Sequence, residues 1–215
     1  SLYILGVVLG ILSGLLFKRT MFTGEEAPFV IELPPYRMPS AKNVLTHVWE
    51  RVSHFLEKAG TIIFAMSVLL WFLESFNFSF QMVENAGDSI IGRIGSLIAP
   101  VFTPLGFGTW QAAVALITGI VAKEAVVSSL AMFYGFSVSA ESAVVGSALA
   151  GTFTPLAAYS FLVFVLLYTP CMAAVATMRR ELASRKWTAF AVVYQIGIAY
   201  IAALLTYFIG SFFAG

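Results

Sequence analysis

Long apolar stretches constrain this chain more than any other feature of its sequence. Five of them carry few charges: 2–17, 59–76, 94–140, 155–178 and 188–213. A helix needs about 20 apolar residues to cross the hydrocarbon core of a bilayer, which is roughly 30 Å thick. Backbone groups in that core must pair internally, which a helix achieves within one segment. The sequence therefore predicts an all-α integral membrane protein with about five spanning helices.

Composition excludes several other classes of protein. Hydrophobic residues make up 60% of the chain and charged residues 11%, whereas about 25% of the residues in a soluble domain are charged. The net charge of +1 leaves no basic surface for a nucleic acid. The single cysteine, Cys171, cannot form a disulfide within the chain. The sequence contains no phosphate loop, zinc-type cluster or nucleophile–base pair, so it shows no apparatus for chemistry on a bound substrate.

The stretch 94–140 predicts a broken or re-entrant segment, because one straight helix of that length would measure roughly 70 Å. Four helix breakers interrupt its first part, namely Pro100, Pro104, Gly106 and Gly108. Basic residues place 18–58 and a predicted loop at 179–187 on the cytoplasmic side, and acidic residues place 74–93 outside. An even number of crossings must then separate the two basic segments, yet only three are clear. The irregular path of 94–140 is the best explanation.

An amphipathic helix is predicted after Pro39 and Ser40. Apolar residues then recur at helical spacing, at Val44, Val48, Val52, Phe55 and Ala59. Such a stripe is typical of a helix that lies in the membrane interface. We expect this helix to turn down into the second span.

The same helix carries two histidines, His47 and His54, on either side of Glu50, a spacing compatible with metal binding. Arg51 and Lys58 share one helical face with the histidines, so the face is basic. A basic face repels a cation and suits anionic lipid headgroups. The sequence therefore favours headgroups over a metal ion here.

Lys123 and Glu124 interrupt an otherwise uncharged stretch. Each charge costs about 2.5–3.5 kcal/mol at the centre of a membrane helix, so chance placement is disfavoured. One interpretation is a polar site on an ion or solute pathway. The other is a helix end at the interface, with both side chains reaching water. The uncharged residues on both sides of the pair favour the pathway.

A second polar feature is the segment Tyr168-Thr169-Pro170-Cys171. Pro170 has no N–H, so the carbonyl of Leu166 loses its helical partner and the helix is predicted to kink. Transporters use oxygens freed in this way to coordinate ions, and a thiolate such as Cys171 suits first-row transition metals. The alternative is an ordinary kink beside a small buried side chain, which the residues alone favour.

Seven short segments, in the same order along the chain, resemble the C-terminal membrane region of the ferrous iron transport protein B family. They are ELPPYR at 32–37, WER at 49–51, KAGTII at 58–63, AVALITG at 113–119, VAKE at 121–124, YTPC at 168–171 and RRE at 179–181. The resemblance covers nearly the whole chain, which makes it far more specific than any single motif.

The resemblance implies a multi-pass protein of the bacterial inner membrane that imports Fe²⁺ and contains two inverted Gate-type repeats. By this resemblance, residues 1–58 hold the first span, a cytoplasmic loop and the interfacial helix. Residues 59–187 form the second Gate-type repeat, and 188–215 form the final span. Cys171 corresponds to a membrane cysteine proposed as an iron ligand.

The partners implied by the resemblance are the family's N-terminal GTPase domain and the first Gate-type repeat, neither of which is found in this sequence. We therefore expect no nucleotide site in this chain and no enzymatic activity from it. The chain begins within an apolar run, so we expect it to be part of a longer protein. The other expected partners are the lipid bilayer and, as an open alternative, further copies of the protein.

The leading hypothesis is a membrane permease module for Fe²⁺ as the transported ion. Cys171 and Glu124 are its predicted metal ligands. The predicted pathway or gating residues are Lys123, Tyr168, Thr169 and Pro170. Two alternatives stay open: a carrier of another polar solute such as a nucleoside, and a structural scaffold that docks a cytoplasmic regulator through 18–58 and 179–187.

Overall fold

The computed structural model describes residues 2–21, 40–83, 85–134, 153–169 and 171–214. Within these ranges the regular structure is helical, apart from one isolated bridge between Phe76 and Met82. The helices are α1 (Leu2–Thr20), α2 (Ala41–Ser75), α3 (Ile90–Phe102), α4 (Trp110–Val121), α5 (Ala125–Phe133), α6 (Pro155–Leu167), α7 (Met172–Leu182) and α8 (Arg185–Ala214). Two short 3₁₀ helices cover Ala86–Asp88 and Thr103–Leu105. The predicted all-α class is therefore confirmed for the described residues.

The chain divides into two compact units, Ser1–Lys58 and Ala59–Gly215. The first contains α1 and the beginning of α2. The hydroxyl of Ser40 accepts a hydrogen bond from the backbone N–H of Asn43 at 3.4 Å, which caps the start of α2. The side chains of α1 are not buried against other described residues, as expected for a helix that faces lipid or another protein segment.

Three helical stretches among the described residues are long and apolar enough to cross a membrane: Leu2–Thr20, Pro155–Leu182 and Arg185–Phe213. Helices α3 and α4 together form a fourth candidate, bent by 102°. The apolar part of α2, Phe64–Ser75, is shorter than a span. Multiple apolar helices are thus confirmed, whereas the predicted number of about five spans is not.

The predicted break in the stretch 94–140 is present. Helix α3 ends at Phe102, and Gly106 follows the 3₁₀ turn with a φ of 88°, a left-handed conformation that glycine adopts without strain. The hydroxyl of Thr109 then accepts a hydrogen bond from the N–H of Ala112 at 3.3 Å and caps α4. Pro100 does not belong to the break, because it lies in the last turn of α3.

The core of the second unit lies around α4, where Val114 and its neighbours are fully buried. Phe107 packs edge-on against Phe161 at a centroid distance of 5.1 Å, which joins the break to α6. The buried hydroxyl of Ser160 donates a hydrogen bond to the carbonyl of Ala203 at 3.0 Å, which joins α6 to α8. Since a membrane offers no water to satisfy such groups, this bond fixes the pairing of the two helices.

Two predicted segments differ from the structure. Residues 179–187 are not a loop: α7 continues to Leu182 and α8 begins at Arg185. The turn uses only two residues because Ala183 adopts a positive φ of 47°. The predicted turn between the interfacial helix and the second span is also absent, because α2 covers both without a break. The segment contains no proline, and one glycine, Gly60, is not enough to end a helix.

Candidate functional site

Lys123 and Glu124 lie in the turn between α4 and α5. Of the two interpretations of the sequence, this position matches the helix end and not the centre of a helix. The chain reverses there, and the reversal brings the hydroxyls of Thr118 on α4 and Ser129 on α5 within 2.9 Å of each other. Over the described residues α4 and α5 are about 18 and 14 Å long, too short to cross a core of roughly 30 Å. The charged pair therefore marks the tip of a short helical hairpin, residues 110–133.

Helices α6 and α7 are separated by a second break. Helix α6 ends at Leu167 and α7 begins at Met172. Tyr168 and Cys171 on either side of this break both have extended backbone conformations, with ψ of 169° and 159°. The predicted interruption of the fourth span is therefore present, although Pro170 itself lies outside the described residues.

The hairpin tip and this second break meet through Lys123. Its ammonium donates a hydrogen bond to the carbonyl oxygen of Leu166 at 3.1 Å. The same nitrogen lies 5.2 Å from the centroid of the Tyr168 ring, within range of a cation–π interaction. The carbonyl that the sequence predicted to lose its helical partner is thus the one that accepts from the hairpin tip.

Tyr168 fills the space between the hairpin and the second break. Its side chain is 5% exposed and stacks on Phe164 at a centroid distance of 5.6 Å. The ring reaches so close to Gly119 of α4 that a Cβ there would overlap both the Tyr168 hydroxyl and Val126. Among the described residues no group forms a hydrogen bond with this hydroxyl. An unpaired buried hydroxyl costs about 1–3 kcal/mol, so this oxygen is available to a polar ligand.

Thr169 and Cys171 occupy different surroundings although they are close in sequence. The hydroxyl of Thr169 is buried and donates to the carbonyl of Val192 at 3.4 Å, which ties the break to α8. Cys171 begins α7, and its carbonyl accepts from the N–H of Ala174 at 2.9 Å. Its half-buried thiol forms no capping hydrogen bond. The thiol lies across the second break from Tyr168, whose ring contacts Lys123.

Four helix ends meet at the hairpin tip and the second break. Helices α4 and α6 end here, and the last carbonyl groups of a helix have no partner within it. These two ends carry a partial negative charge of about half an electron each, and the starts of α5 and α7 beside them carry the opposite partial charge. The exposed carboxylate of Glu124 adds negative charge within electrostatic range of Lys123.

The structure thus places Lys123 against Leu166 and Tyr168, with Glu124 and Cys171 as near neighbours along the chain, and ties Thr169 to α8. In the described part of the chain, three or more His, Cys, Asp or Glu side chains do not come together as a metal site. A cation here would have to combine a thiol or carboxylate with carbonyl and hydroxyl oxygens.

The alternative metal site on α2 gains little from the structure. The imidazole Nδ1 of His47 lies 3.5 Å from a carboxylate oxygen of Glu50, and both side chains are largely exposed. The side chain of His54 lies outside the described residues. Because both side chains are exposed to water, this contact does not form a buried metal site.

Several residues of the site were not identified from the sequence. Gly119 stands in an apolar helix, and its close contact with Tyr168 spans 49 positions. No pattern in the sequence indicated that the hydroxyls of Thr118 and Ser129 would form a pair. Gln195 also went unnoticed: it lies one turn of α8 beyond Val192, and its amide oxygen is buried with no hydrogen bond to any described group. Its position in a predicted span was the one available signal.

Comparison with known families gives two adjacent matches. Residues 1–51 match the family model for the C terminus of ferrous iron transport protein B. Residues 56–185 match the Gate family model, described as nucleoside recognition. The second match contains the hairpin tip and the second break. No solved structure is significantly similar to the chain.

Curated relatives carry the name Fe(2+) transporter FeoB. A protein of Staphylococcus aureus (strain MSSA476) is 41% identical over 99% of this chain, and one of Methanocaldococcus jannaschii is 40% identical over 98%. A Salmonella paratyphi A protein is 34% identical over 99%. The chain spans only 31%, 32% and 34% of these relatives, about a third of their length. From the two model matches and this similarity, the chain belongs to the ferrous iron transport protein B family and corresponds to the C-terminal part of its members.

Proposed function

We propose that this chain is a membrane permease module for ferrous iron within a larger transporter. The names of the relatives support the identity of the ion. Because the chain spans about a third of their length, the remainder of the protein must supply the rest of the pathway and any energy source. In this proposal the chain itself carries out no chemical step.

The observation that carries the proposal is the meeting of the hairpin tip and the second break through the contact between Lys123 and Leu166. Membrane transporters place ions where helices are interrupted, because backbone oxygens are available there. Cys171 and Glu124 are the proposed ligands, one soft and one hard, on the two sides of this contact. A thiol ligand favours Fe²⁺ over Mg²⁺ or Ca²⁺.

The remaining pathway residues have distinct roles in this proposal. Tyr168 offers a buried hydroxyl without a partner. Thr169 holds the second break against α8, and Pro170 keeps the helix from closing across it, since proline has no N–H. Oxygens at the ends of α4 and α6 complete the set of donors.

The organisation of the whole protein is proposed from the family. Residues 59–187 act as the second Gate-type repeat, 1–58 as the preceding span with its cytoplasmic segment, and 188–215 as the final span. The partners are the first repeat and a GTPase domain in the same protein. The location is the bacterial inner membrane, with the basic residues of 18–58 and 179–187 on the cytoplasmic side.

Uptake of radioactive Fe²⁺ by cells that carry the full-length protein tests this proposal. We expect Cys171→Ser to reduce uptake at limiting iron at least about tenfold, because a hydroxyl is a poor substitute for a soft ligand. Met172→Leu removes the neighbouring sulfur and is the matched control, with uptake close to wild type. Uptake by Cys171→Ser at the wild-type rate would remove the thiol from the mechanism.

The nucleoside alternative has one specific observation in its favour, the description of the Gate model. The names of the relatives do not favour it. An excess of nucleosides added to the iron-uptake assay separates the two functions: competition would support a shared site for organic solutes, and unchanged uptake would support the ion. A scaffold role predicts instead that charge reversal at Arg179 and Arg180 abolishes uptake while Cys171→Ser is tolerated.

A further inference from the structure

The surroundings of the Lys123 ammonium resemble those of a bound cation. A carbonyl oxygen lies 3.1 Å away and the face of an aromatic ring 5.2 Å away. Carbonyl oxygens and aromatic faces are groups that proteins use to bind free cations. Glu124 follows Lys123 in the chain, and Cys171 lies across the second break from Tyr168. The amine therefore occupies a position where the second break presents electron-rich groups to the hairpin tip.

The ammonium can leave this position without movement of the backbone. Lys123 is the middle residue of the three-residue turn between α4 and α5, and its side chain is a flexible four-carbon stem. The hairpin that carries it is fixed independently, through the hydroxyl pair of Thr118 and Ser129 and the close packing of Gly119 against Tyr168. A change of rotamer at Lys123 would expose the Leu166 carbonyl and the Tyr168 ring.

We propose that Lys123 is an internal competitor of the transported cation: its ammonium occupies the position at Leu166 and Tyr168 when the site is empty and leaves when a metal ion enters. This inference rests on the proposed function. It adds that the Lys123 ammonium is the group that neutralises the site when no metal ion is bound. Two positive charges among the same few groups repel each other, so metal entry and departure of the ammonium are coupled. Return of the ammonium then assists release of the metal ion.

A purely structural role for Lys123 makes a different prediction. In that case the side chain only caps the end of α6, and an uncharged donor at the same position would serve equally well. A competitor acts through its charge. The variant Lys123→Gln separates the two roles, because its amide keeps hydrogen-bond donors but carries no charge.

The experiment measures initial rates of Fe²⁺ uptake against Fe²⁺ concentration, with the full-length protein in proteoliposomes. For Lys123→Gln we expect the KM to fall at least about fivefold, the lower end of typical coupling between binding events, together with a lower maximal rate because release is slower. Lys123→Arg keeps the charge and should keep a KM near wild type. Lys186→Met, which removes an exposed amine at the start of α8, should change neither parameter.

An unchanged or higher KM for Lys123→Gln would overturn the competitor role, as would a fivefold lower KM for Lys123→Arg. If Lys123→Gln does not insert into the membrane, Lys123→Met replaces it in the same assay, and its KM is judged against the same fivefold fall. Should both fail to insert, a structural role is established and the proposal is wrong. Absence of uptake by the wild-type protein would instead contradict the proposed function, so the two failures are distinguishable.

Discussion

At the scale of single residues, the site depends on contacts between positions that are far apart in the sequence. Lys123 and Leu166 are 43 positions apart, and no pattern in the sequence pairs them. The sequence did identify both partners separately, because a charge in an apolar stretch and a carbonyl freed by a proline are each conspicuous. The geometry between them depends on the packing of three helices, which local sequence does not specify.

Gly119→Ala tests the packing of the hairpin against Tyr168. The added methyl group would overlap the Tyr168 hydroxyl and Val126, so we expect a loss of stability of about 1–3 kcal/mol from overpacking. Thermal unfolding of the purified full-length protein in detergent measures the effect. Gly197→Ala on α8 is the matched control, since nothing lies within 4 Å of the Cβ it would add.

A second substitution sharpens this test. Tyr168→Phe removes the hydroxyl that the new methyl group would meet, so the double variant should recover part of the stability lost by Gly119→Ala. Additive effects of the two substitutions would show that the residues do not touch.

At the scale of helices, the sequence predicted the break between α3 and α4 and the break between α6 and α7. It did not predict the angle between the helices at either break. Pro104 and Gly106 end α3 for reasons that the sequence states, because proline lacks an N–H and glycine tolerates the left-handed turn. The bend of 102° between α3 and α4 follows from how Phe107 and its neighbours pack, which lies beyond local rules. The prediction of a loop at 179–187 was wrong for the same reason. The turn between α7 and α8 has only two residues, and the charged residues around it belong to the ends of the two helices.

Each break exposes a carbonyl that a distant side chain satisfies. The hydroxyl of Tyr200 on α8 donates to the carbonyl of Val101 at 2.9 Å, in the last turn of α3, where carbonyl groups have no partner within the helix. Lys123 serves the Leu166 carbonyl in the same manner. The first contact is neutral and the second is charged, so we assign the first to stability and the second to function.

Tyr200→Phe tests this assignment. Removal of the hydroxyl leaves the Val101 carbonyl without its partner, and we expect a loss of about 0.5–1.5 kcal/mol in the free energy of unfolding, the net contribution of a typical hydrogen bond, with the KM for Fe²⁺ unchanged. Thermal unfolding and concentration-dependent uptake measure the two quantities. The control is Tyr3→Phe, because Tyr3 is 81% exposed on α1. A changed KM with wild-type stability would place Tyr200 on the pathway instead.

At the scale of the whole molecule, the membrane class followed from composition and the path of the chain did not. Apolar helices were expected from 11% charged residues, and they are present. The number of crossings depends on short and broken helices, such as α4 and α5, whose lengths fall between those of a span and a loop. The chain spans about a third of the length of its relatives.

In the proposed function a cation reaches the hairpin tip and the second break beside Cys171. The sharpest test is the rate at which a membrane-impermeant maleimide modifies Cys171 in the full-length protein, read by mass spectrometry of the peptide that contains this thiol. We expect modification in the absence of Fe²⁺ and a rate that falls as Fe²⁺ is added, with no such fall for added Mg²⁺. A rate that does not respond to Fe²⁺, or a thiol modified only by reagents that dissolve in lipid, would contradict the proposed function.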